Sequence, residues 1–235
     1  MANKLAVLSD IHGNMHALKS VLKDAELAGV NDFVCLGDSI GYYYQGADVL
    51  RLIKENCKYS IAGNHEKMLQ SIFDNTLSLY QCVSTYGSSY LKAIIEIDYE
   101  LFMYVKALPD SVLISLNNDK SILAVHSHPV IPDKYVYPDN LKDLDNLSKY
   151  ADIVLYGHTH YPLVYNSPMG STVVNPGSVG QPRQPNCKDA CWAIIDTITL
   201  EVSLQKSSYN LSPLLYEINR FDKDIEPKLS SFFFR

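Results

Sequence analysis

Short apolar runs alternate with longer amphipathic stretches over the first 65 residues of the chain. The apolar runs at 4–10, 32–38 and 58–65 are typical of buried strands. Apolar residues recur at helical spacing over 15–28, a second helix is predicted over 47–55, and a third begins near Glu66. Strands that alternate with helices indicate parallel βαβ units whose sheet is covered on both faces.

After Pro109 the pattern changes to closely spaced short strands. Strands are predicted over 111–116, 121–126, 153–158, 172–175, 192–196 and 200–206, and further helices over 141–150 and 213–220. No linker, low-complexity tract or internal repeat interrupts the chain. We therefore predict one domain over 1–235 with two sheets and helices outside them, including a helical, Tyr-rich insertion at 74–108 and a C-terminal helix and tail at 207–235.

Five of the predicted strands end in side chains that can bind a metal ion. These strand ends carry Asp10 with His12, Asp38, Asn64 with His65, His126 with His128, and His158 with His160. A single Asp or His at a strand end is usually a cap or a loop residue. Five such coincidences favour a shared site, because ligands in open α/β sheets bind beyond the carboxyl ends of the strands.

The donor types restrict the metal. Imidazoles, carboxylates and one amide, without a thiolate, suit Mn, Fe, Zn, Co or Ni better than Ca or Mg. The donors are too many for one tetrahedral ion, so two ions bridged by a carboxylate are the economical arrangement. Paired ions of this kind activate water and neutralise charge in hydrolytic displacement reactions.

These residues resemble the motifs of the calcineurin-like metallophosphoesterase superfamily, whose pattern is DxH, GDxxG, GNH, a strand-end His and GHxH. The small, single-domain bacterial and archaeal phosphodiesterase branch is most similar. Its longer motifs are matched by GDSIGYY at 37–43, HSHP at 126–129, GHTHYP at 157–162 and NPGSVGQPR at 175–183. The resemblance covers roughly residues 4–200 and implies an α/β fold, a four-layer α/β/β/α sandwich of two mixed sheets flanked by helices.

The resemblance also implies a role for each motif residue. One metal would be bound by Asp10, His12, Asp38 and His160, and the other by Asp38, Asn64, His126 and His158, with Asp38 as the bridge. His65 would stay off the metals and protonate the leaving oxygen or stabilise the phosphoryl oxygens. The implied reaction is hydrolysis of a small phosphodiester or nucleotide-type substrate by in-line attack of a hydroxide that bridges two divalent ions. We expect Mn²⁺ first, with Fe, Zn, Ni and Co as alternatives.

Three positions depart from the pattern of this branch. Glu66 stands where Asp commonly follows GNH, and we expect its longer arm to orient His65. Ser127 stands where this branch has a Gly after the strand-end His, so the loop cannot readily adopt backbone angles that only glycine favours. His128 is an additional imidazole, which is a substrate contact, an alternative metal ligand or a solvated loop residue.

Substrate contacts are predicted more weakly than the metal ligands. Arg183 lies within a motif and could contact phosphate or fix its loop by an ion pair, and Tyr42 could stack on a nucleobase. No Arg follows the GDxxG motif before Arg51, which disfavours a phosphoprotein phosphatase. A phosphomonoesterase or phosphoprotein phosphatase remains the alternative enzyme, and a protein-binding scaffold of the same fold remains the non-catalytic alternative.

Composition restricts partners and location. With 20 Lys and Arg against 26 Asp and Glu, the chain has a formal charge of −6 and no extended nucleic-acid surface is expected. No apolar run is long enough to span a membrane, no signal-peptide core is present, and the five cysteines form no CxxC pair, so we expect a cytoplasmic protein that acts on a small phosphorylated substrate. We expect the terminal residues 232–235 to pack on the domain or on a subunit partner, which leaves a homo-oligomer open.

Overall fold

In the computed structural model, which describes residues 4–30, 32–116 and 119–234, the chain forms two five-stranded sheets. The strands are β1 (Lys4–Leu8), β2 (Asp32–Cys35), β3 (Cys57–Ser60), β4 (Ser111–Ser115), β5 (Ser121–Val125), β6 (Ile153–Leu155), β7 (Leu163–Asn166), β8 (Thr172–Asn175), β9 (Ala190–Asp196) and β10 (Val202–Ser207).

The helices lie between and after these strands. They are α1 (Met15–Leu27), α2 (Gly46–Asn56), α3 (Asn64–Phe73), α4 (Leu79–Tyr86), α5 (Ser89–Glu96), α6 (Tyr99–Ala107), α7 (Leu141–Leu147), α8 (Ser212–Phe221) and α9 (Glu226–Ser230), with short 3₁₀ turns at Lys223–Ile225 and Ser231–Phe233. Among the described residues, no helix has the length and hydropathy needed to cross a membrane.

Both sheets are mixed. The first has the order β10-β9-β1-β2-β3, in which β1, β2 and β3 are parallel and β9 is antiparallel to both of its neighbours. The second has the order β4-β5-β6-β8-β7, in which β5, β6 and β8 are parallel and the two edge strands are antiparallel. The βαβ units predicted over the first 65 residues therefore form the β1, β2 and β3 end of the first sheet.

The alternation of side chains along β1 builds the layers. Leu5 and Val7 pack against residues of the second sheet, whereas Ala6 and Leu8 pack against α1 on the opposite face. On the far side of the second sheet, α7 covers β5, β6 and β8. Helix, sheet, sheet and helix thus form four layers, which confirms the fold class expected from the sequence.

The Tyr-rich stretch at 74–108 contains three helices, α4, α5 and α6, which share one apolar cluster with α2 and α3. Gly87 separates α4 from α5 with a φ of 77°, a conformation that favours glycine. Asp98 caps α6 by accepting a hydrogen bond from the amide of Leu101 at 2.8 Å.

Three parts of the sequence prediction differ from the structure. The strands end before the motif residues, because the backbone turns into the left-handed region at positions such as Asp10 and Asp38, which a strand cannot continue through. Strand β7 was not predicted, because it has only four residues and begins directly after Pro162. Helix α9 was also not predicted.

The C-terminal segment packs on the loop that follows β2. Phe233 is 1% exposed and stacks on Tyr43 at 5.9 Å between ring centroids, in a cluster with Leu214 and Ile218 of α8. Phe232 is buried against Tyr42, whereas Phe234 is 58% exposed. The predicted packing of the aromatic tail on the domain therefore holds for its first two Phe residues, and Arg235 lies outside the described residues.

We predict that Phe233→Ala lowers the free energy of unfolding by about 3–5 kcal/mol, the usual cost of removing a buried Phe ring. Phe234→Ala is the matched control and should lower it by at most about 1 kcal/mol, because that ring is exposed and contacts the Lys188 ammonium. Urea denaturation of both variants measures the difference. Equal losses would show that the segment does not stabilise the fold through Phe233.

Candidate metal centre

The residues that follow β1, β2 and β3 meet those that follow β5 and β6 at one edge of the two sheets. Three buried groups of side chains have ligand atoms within 4.8 Å of one another. The groups are Asp10 with His12 and His160, His12 with Asp38 and His65, and Asp38 with His126 and His158. His12 and Asp38 each belong to two groups, so the predicted ligands form one continuous cluster.

In the first group, three donor atoms converge. Nε2 of His12 lies 3.2 Å from Nε2 of His160. Oδ1 of Asp10 lies 3.2 Å from Nε2 of His160 and 3.9 Å from Nε2 of His12. The other carboxylate oxygen of Asp10 accepts hydrogen bonds from the Ser9 hydroxyl and from the His158 amide.

The second and third groups share Asp38. Its Oδ1 accepts a hydrogen bond from the amide of His65 at 2.9 Å, and its Oδ2 lies 3.3 Å from Nε2 of His126. The same nitrogen of His126 lies 3.1 Å from Oδ1 of Asn64. The structure thus brings the predicted amide ligand to the cluster as well.

Backbone carbonyls fix the protonation of the candidate ligand imidazoles. The pairs are Nδ1 of His12 with the oxygen of Ile40 at 3.1 Å, Nδ1 of His126 with Leu36 at 2.8 Å, Nδ1 of His160 with Gln181 at 2.7 Å, and Nε2 of His158 with Asp133 at 3.2 Å. A carbonyl only accepts, so the nitrogen facing it carries the proton. In the neutral ring the other nitrogen then keeps a lone pair, which is the form that binds a metal.

This arrangement fits a cation. The lone pairs of His12 and His160 face each other, and Oδ1 of Asp10 is buried without a hydrogen-bond partner. Such buried groups repel or remain unsatisfied unless a proton or a metal ion lies among them. Imidazole, carboxylate and amide donors without thiolate suit first-row divalent ions.

Electrostatics within the cluster point the same way. Burial disfavours the charge of Asp38, but His126 and His65 outweigh it and hold the pKa of Asp38 well below its usual range. Burial opposes protonation of His126, yet the Asp38 carboxylate raises the pKa of His126 to about 10. The position between Asp38 and His126 therefore attracts positive charge.

Backbone strain is concentrated at the cluster. Five candidate ligands have a φ in the left-handed region, namely Asp10 at 55°, His12 at 53°, Asp38 at 56°, His158 at 64° and His160 at 65°. Such conformations are uncommon for residues other than glycine and persist where the surrounding structure enforces them.

Two motif glycines make room for the side chains beside them. A Cβ at Gly41, whose φ is +88°, would lie 2.1 Å from Nδ1 of His65. A Cβ at Gly63 would lie 2.2 Å from Oδ1 of Asp38. Any larger residue at either position would displace a candidate functional side chain.

Glu66 does not orient His65, and the expectation that it would is wrong. Its carboxylate accepts hydrogen bonds from three backbone amides, those of Asp38, Ser39 and Gly63, at 2.7–2.8 Å. Burial and the nearby Asp38 carboxylate raise the pKa of Glu66 to about 7, although the hydrogen bonds from the three amides lower it. Glu66 therefore joins the loop after β2 to the loop after β3.

His65 is held by aromatic residues instead. Its Nδ1 lies 2.7 Å from the hydroxyl of Tyr90, and the two rings stack with 13° between their planes. Tyr86 meets the His65 ring edge-on at 4.9 Å, and Tyr42 lies 5.3 Å away. Tyr90 was not identified from the sequence, because nothing in a helical Tyr-rich segment distinguishes one tyrosine from the others.

Arg183 lies beside Tyr42 and Phe232. Its guanidinium carbon is 5.8 Å from the centroid of the Phe232 ring. Burial raises the pKa of Tyr42 to about 12, although the nearby positive charge of Arg183 lowers it. Among the described residues Arg183 forms no ion pair, its Nε is buried without a hydrogen-bond partner, and Nη2 reaches only Oε1 of Gln181 at 3.5 Å. The alternative of an ion pair that fixes the loop is not seen among these residues.

The remaining predicted positions lie outside the cluster. Nδ1 of His128 accepts hydrogen bonds from the amides of Val130 and Ile131, so this imidazole closes a turn, and its contact with substrate stays a prediction. The φ of Ser127 is not positive, which removes the concern about its backbone. Arg51 pairs with Asp48 and Asp98 instead of joining the cluster.

A groove opens beside the candidate ligands. It has a volume of about 310 Å³ and is lined by Asn64, Lys67, Met68, Ser71, Asp133, Tyr135 and His158. The Tyr135 ring is 47% exposed and packs 4.2 Å from the His158 ring. The groove is of the size that holds a small molecule.

Comparisons with known proteins agree with this architecture. Residues 4–199 match the family model of the calcineurin-like phosphoesterase superfamily domain. An uncharacterized protein of Methanocaldococcus jannaschii is 30% identical over an alignment of 226 positions, and the match covers 88% of this chain and 88% of that one.

Two crystal structures share the fold over nearly the whole chain. A metallophosphoesterase from Sphaerobacter thermophilus matches with a TM-score of 0.78 and 23% identity, over 97% of this chain and 98% of that one. A hypothetical protein from Pyrococcus horikoshii OT3 matches with a TM-score of 0.79 and 20% identity, over 99% and 98%. With its motifs, its mixed sheets and its buried His and Asp cluster, this chain belongs to the calcineurin-like phosphoesterase superfamily.

Proposed function

We propose that this protein is a phosphoesterase that uses two divalent ions to hydrolyse small phosphodiester or nucleotide-type substrates. The observation that carries the proposal is that Asp38 lies within ligand distance both of the His12 side of the cluster and of the His126 and His158 side. A carboxylate between two sets of imidazoles is what a pair of bridged ions requires.

We assign one ion to Asp10, His12, Asp38 and His160, and the other to Asp38, Asn64, His126 and His158. Two ions bound there would activate water for attack on phosphorus and neutralise charge on the phosphoryl oxygens. Mn²⁺ is our first choice of metal, with Fe, Zn, Ni and Co as alternatives.

His65 is the proposed proton or hydrogen-bond donor to the oxygens of the reacting phosphate. Its Nε2 lies 4.0 Å from Oδ2 of Asp38, at the border of the cluster, while its Nδ1 is occupied by a hydroxyl. A donor must keep a proton on the nitrogen that faces the substrate, so it cannot bind a metal through that nitrogen.

Arg183, Tyr42 and the groove beside Asn64 support a small anionic substrate. The Arg183 guanidinium has spare donors close to the cluster, and Tyr42 presents a half-buried ring next to His12 and His65. A phosphate on the metals could accept from Arg183, while an attached organic group packs on Tyr42 or enters the groove. Arg51 pairs with Asp48 and Asp98 at the surface and so does not offer its guanidinium to a terminal phosphate. This favours a diester over a phosphoprotein substrate.

We predict that Asp38→Asn lowers the metal content and lowers the rate of hydrolysis of bis(p-nitrophenyl) phosphate about 100-fold or more. This loss of rate exceeds the usual effect of changing an outer-sphere partner of a metal. The control is Asp48→Asn, an exposed carboxylate paired with Arg51, which should match the wild type. Metal analysis after chelation and reloading with Mn²⁺ measures the first quantity. Undiminished metal content in Asp38→Asn would refute the bridge.

We predict that His65→Ala retains metal but loses about 10²- to 10⁴-fold in kcat, the usual range for a general acid or base. Diester and monoester substrates are assayed in parallel, which separates a phosphodiesterase from a phosphomonoesterase. If the Mn²⁺-loaded wild type binds metal and hydrolyses neither ester class, the protein is instead a non-catalytic scaffold of this fold.

We predict that Arg183→Met raises KM for a small phosphodiester about 10-fold or more with a smaller change in kcat, because a charge-assisted hydrogen bond to phosphate is lost. Arg220→Met is the control, since Arg220 lies over the ring of Phe221 on α8 in a comparable contact. An unchanged KM for Arg183→Met would assign this side chain to loop packing alone.

A further inference from the structure

The histidines of the cluster differ in what faces the ring nitrogen that points away from it. Every candidate ligand imidazole has a backbone carbonyl at that nitrogen, as described above. His65 has the hydroxyl of Tyr90 at 2.7 Å from Nδ1. Both residues are buried, His65 at 3% and Tyr90 at 0% exposure, so water does not supply a competing partner.

This difference has a chemical consequence. A carbonyl can only accept a hydrogen bond. If a carbonyl stood in the place of the Tyr90 hydroxyl, a neutral His65 would carry its proton on Nδ1 and would turn an unprotonated Nε2 towards the substrate. A hydroxyl can also donate. When Tyr90 donates to Nδ1, the proton of the neutral ring must reside on Nε2, the nitrogen that faces Asp38.

Among the described residues, the Tyr90 hydroxyl has one other hydrogen-bond partner. The sulfur of Met68 lies 3.6 Å from it and is a weak acceptor. Because Nδ1 is the closer and stronger acceptor, the hydroxyl hydrogen belongs on Nδ1 while His65 is neutral. If His65 becomes protonated, Nδ1 donates to Tyr90 and the hydroxyl hydrogen turns to Met68, and Nε2 is protonated in that state as well.

Geometry holds the two rings in this relation. The stacked rings lie 5.9 Å apart between centroids, and Gly41 closes the other side of Nδ1, where even a Cβ would collide. Tyr90 lies on α5, whose apolar cluster with α2 and α3 fixes the helix beneath His65. Burial raises the pKa of Tyr90 well above its usual value, so the hydroxyl keeps its hydrogen.

We infer that Tyr90 is a positioning residue that keeps a proton on Nε2 of His65, so that His65 presents an N–H group to the phosphoryl or leaving oxygen of the substrate. The inference rests on the proposed function for its catalytic consequence, whereas the hydrogen bond itself is a property of the metal-free chain. The helical insertion would then act on the reaction through a single hydroxyl.

The direct test is ¹⁵N NMR of histidine-labelled, metal-free protein at mildly alkaline pH, with the His65 signals assigned by their loss in His65→Ala. The expected spectrum has the proton on Nε2 and an Nδ1 shift typical of a nitrogen that accepts a hydrogen bond. In Tyr90→Phe the Nδ1 signal should move to that of a nitrogen without such a bond. A wild-type His65 with its proton on Nδ1, or an Nδ1 shift unaffected by Tyr90→Phe, overturns the inference.

The kinetic test uses Mn²⁺-loaded Tyr90→Phe. We expect kcat to fall about 10-fold, the scale of one hydrogen bond, with little change in KM and a larger loss for esters of poor leaving groups. In the His65→Ala background, Tyr90→Phe should cause no further loss, because both changes remove one interaction. Equal losses in both backgrounds would assign Tyr90 to packing and overturn the role.

Tyr104→Phe is the matched control, because this tyrosine of α6 packs on the same apolar cluster as Tyr90 and its hydroxyl is buried without a hydrogen-bond partner among the described residues. Its spectrum and kinetics should match those of the wild type. If the wild type hydrolyses no ester, the proposed function fails, while the NMR experiment still decides the Tyr90 hydrogen bond.

Discussion

Burial of the Asp10 and Asp38 carboxylates is the constraint on which the rest of the site depends. Both are nearly inaccessible, and among the described residues neither forms an ion pair with a Lys or an Arg. An ionised carboxylate removed from water loses several kcal/mol of solvation unless charge and hydrogen bonds replace it. Here imidazoles and backbone amides replace only part of it, since Oδ1 of Asp10 has no hydrogen bond. The sheets therefore carry at their edge a buried polar cluster that divalent cations would satisfy.

The loops around this edge are fixed by a third buried carboxylate. Glu66 accepts from the amides of Asp38, Ser39 and Gly63, and so ties the GDxxG loop to the GNH loop. This connection explains how the backbone at Asp38 is held in a left-handed conformation, which needs support from its surroundings. A carboxylate that serves two loops cannot also orient His65. That task passes to Tyr90 on α5, a helix of the Tyr-rich stretch.

The sequence was informative where periodicity and topology act together. Parallel strands of one sheet share the edge at which they end, so Asp10, Asp38 and Asn64, which follow β1, β2 and β3, could be placed together before any side-chain geometry was known. The partners of Glu66, His65 and His128 could not, because each depends on which backbone group or ring lies within hydrogen-bond distance after the loops have folded. Tyr90 is 25 residues from His65 in sequence, and only the packing of α5 brings its hydroxyl to Nδ1. Strand β7 was missed because four residues carry too little pattern to outweigh the proline before them.

The negative total charge of the chain says little about what can approach this edge. Asp10 and Asp38 contribute two negative charges, and two divalent ions would contribute four positive ones, so the occupied cluster would be cationic although the chain has a formal charge of −6. Arg183 adds a further positive charge beside Tyr42 and Phe232. Phe232 lies beyond the residues matched by the family model, which end at 199. The candidate metal ligands thus lie within the residues matched by the family model, whereas Phe232, which packs on Tyr42 and lies under Arg183, comes from the C-terminal segment beyond them.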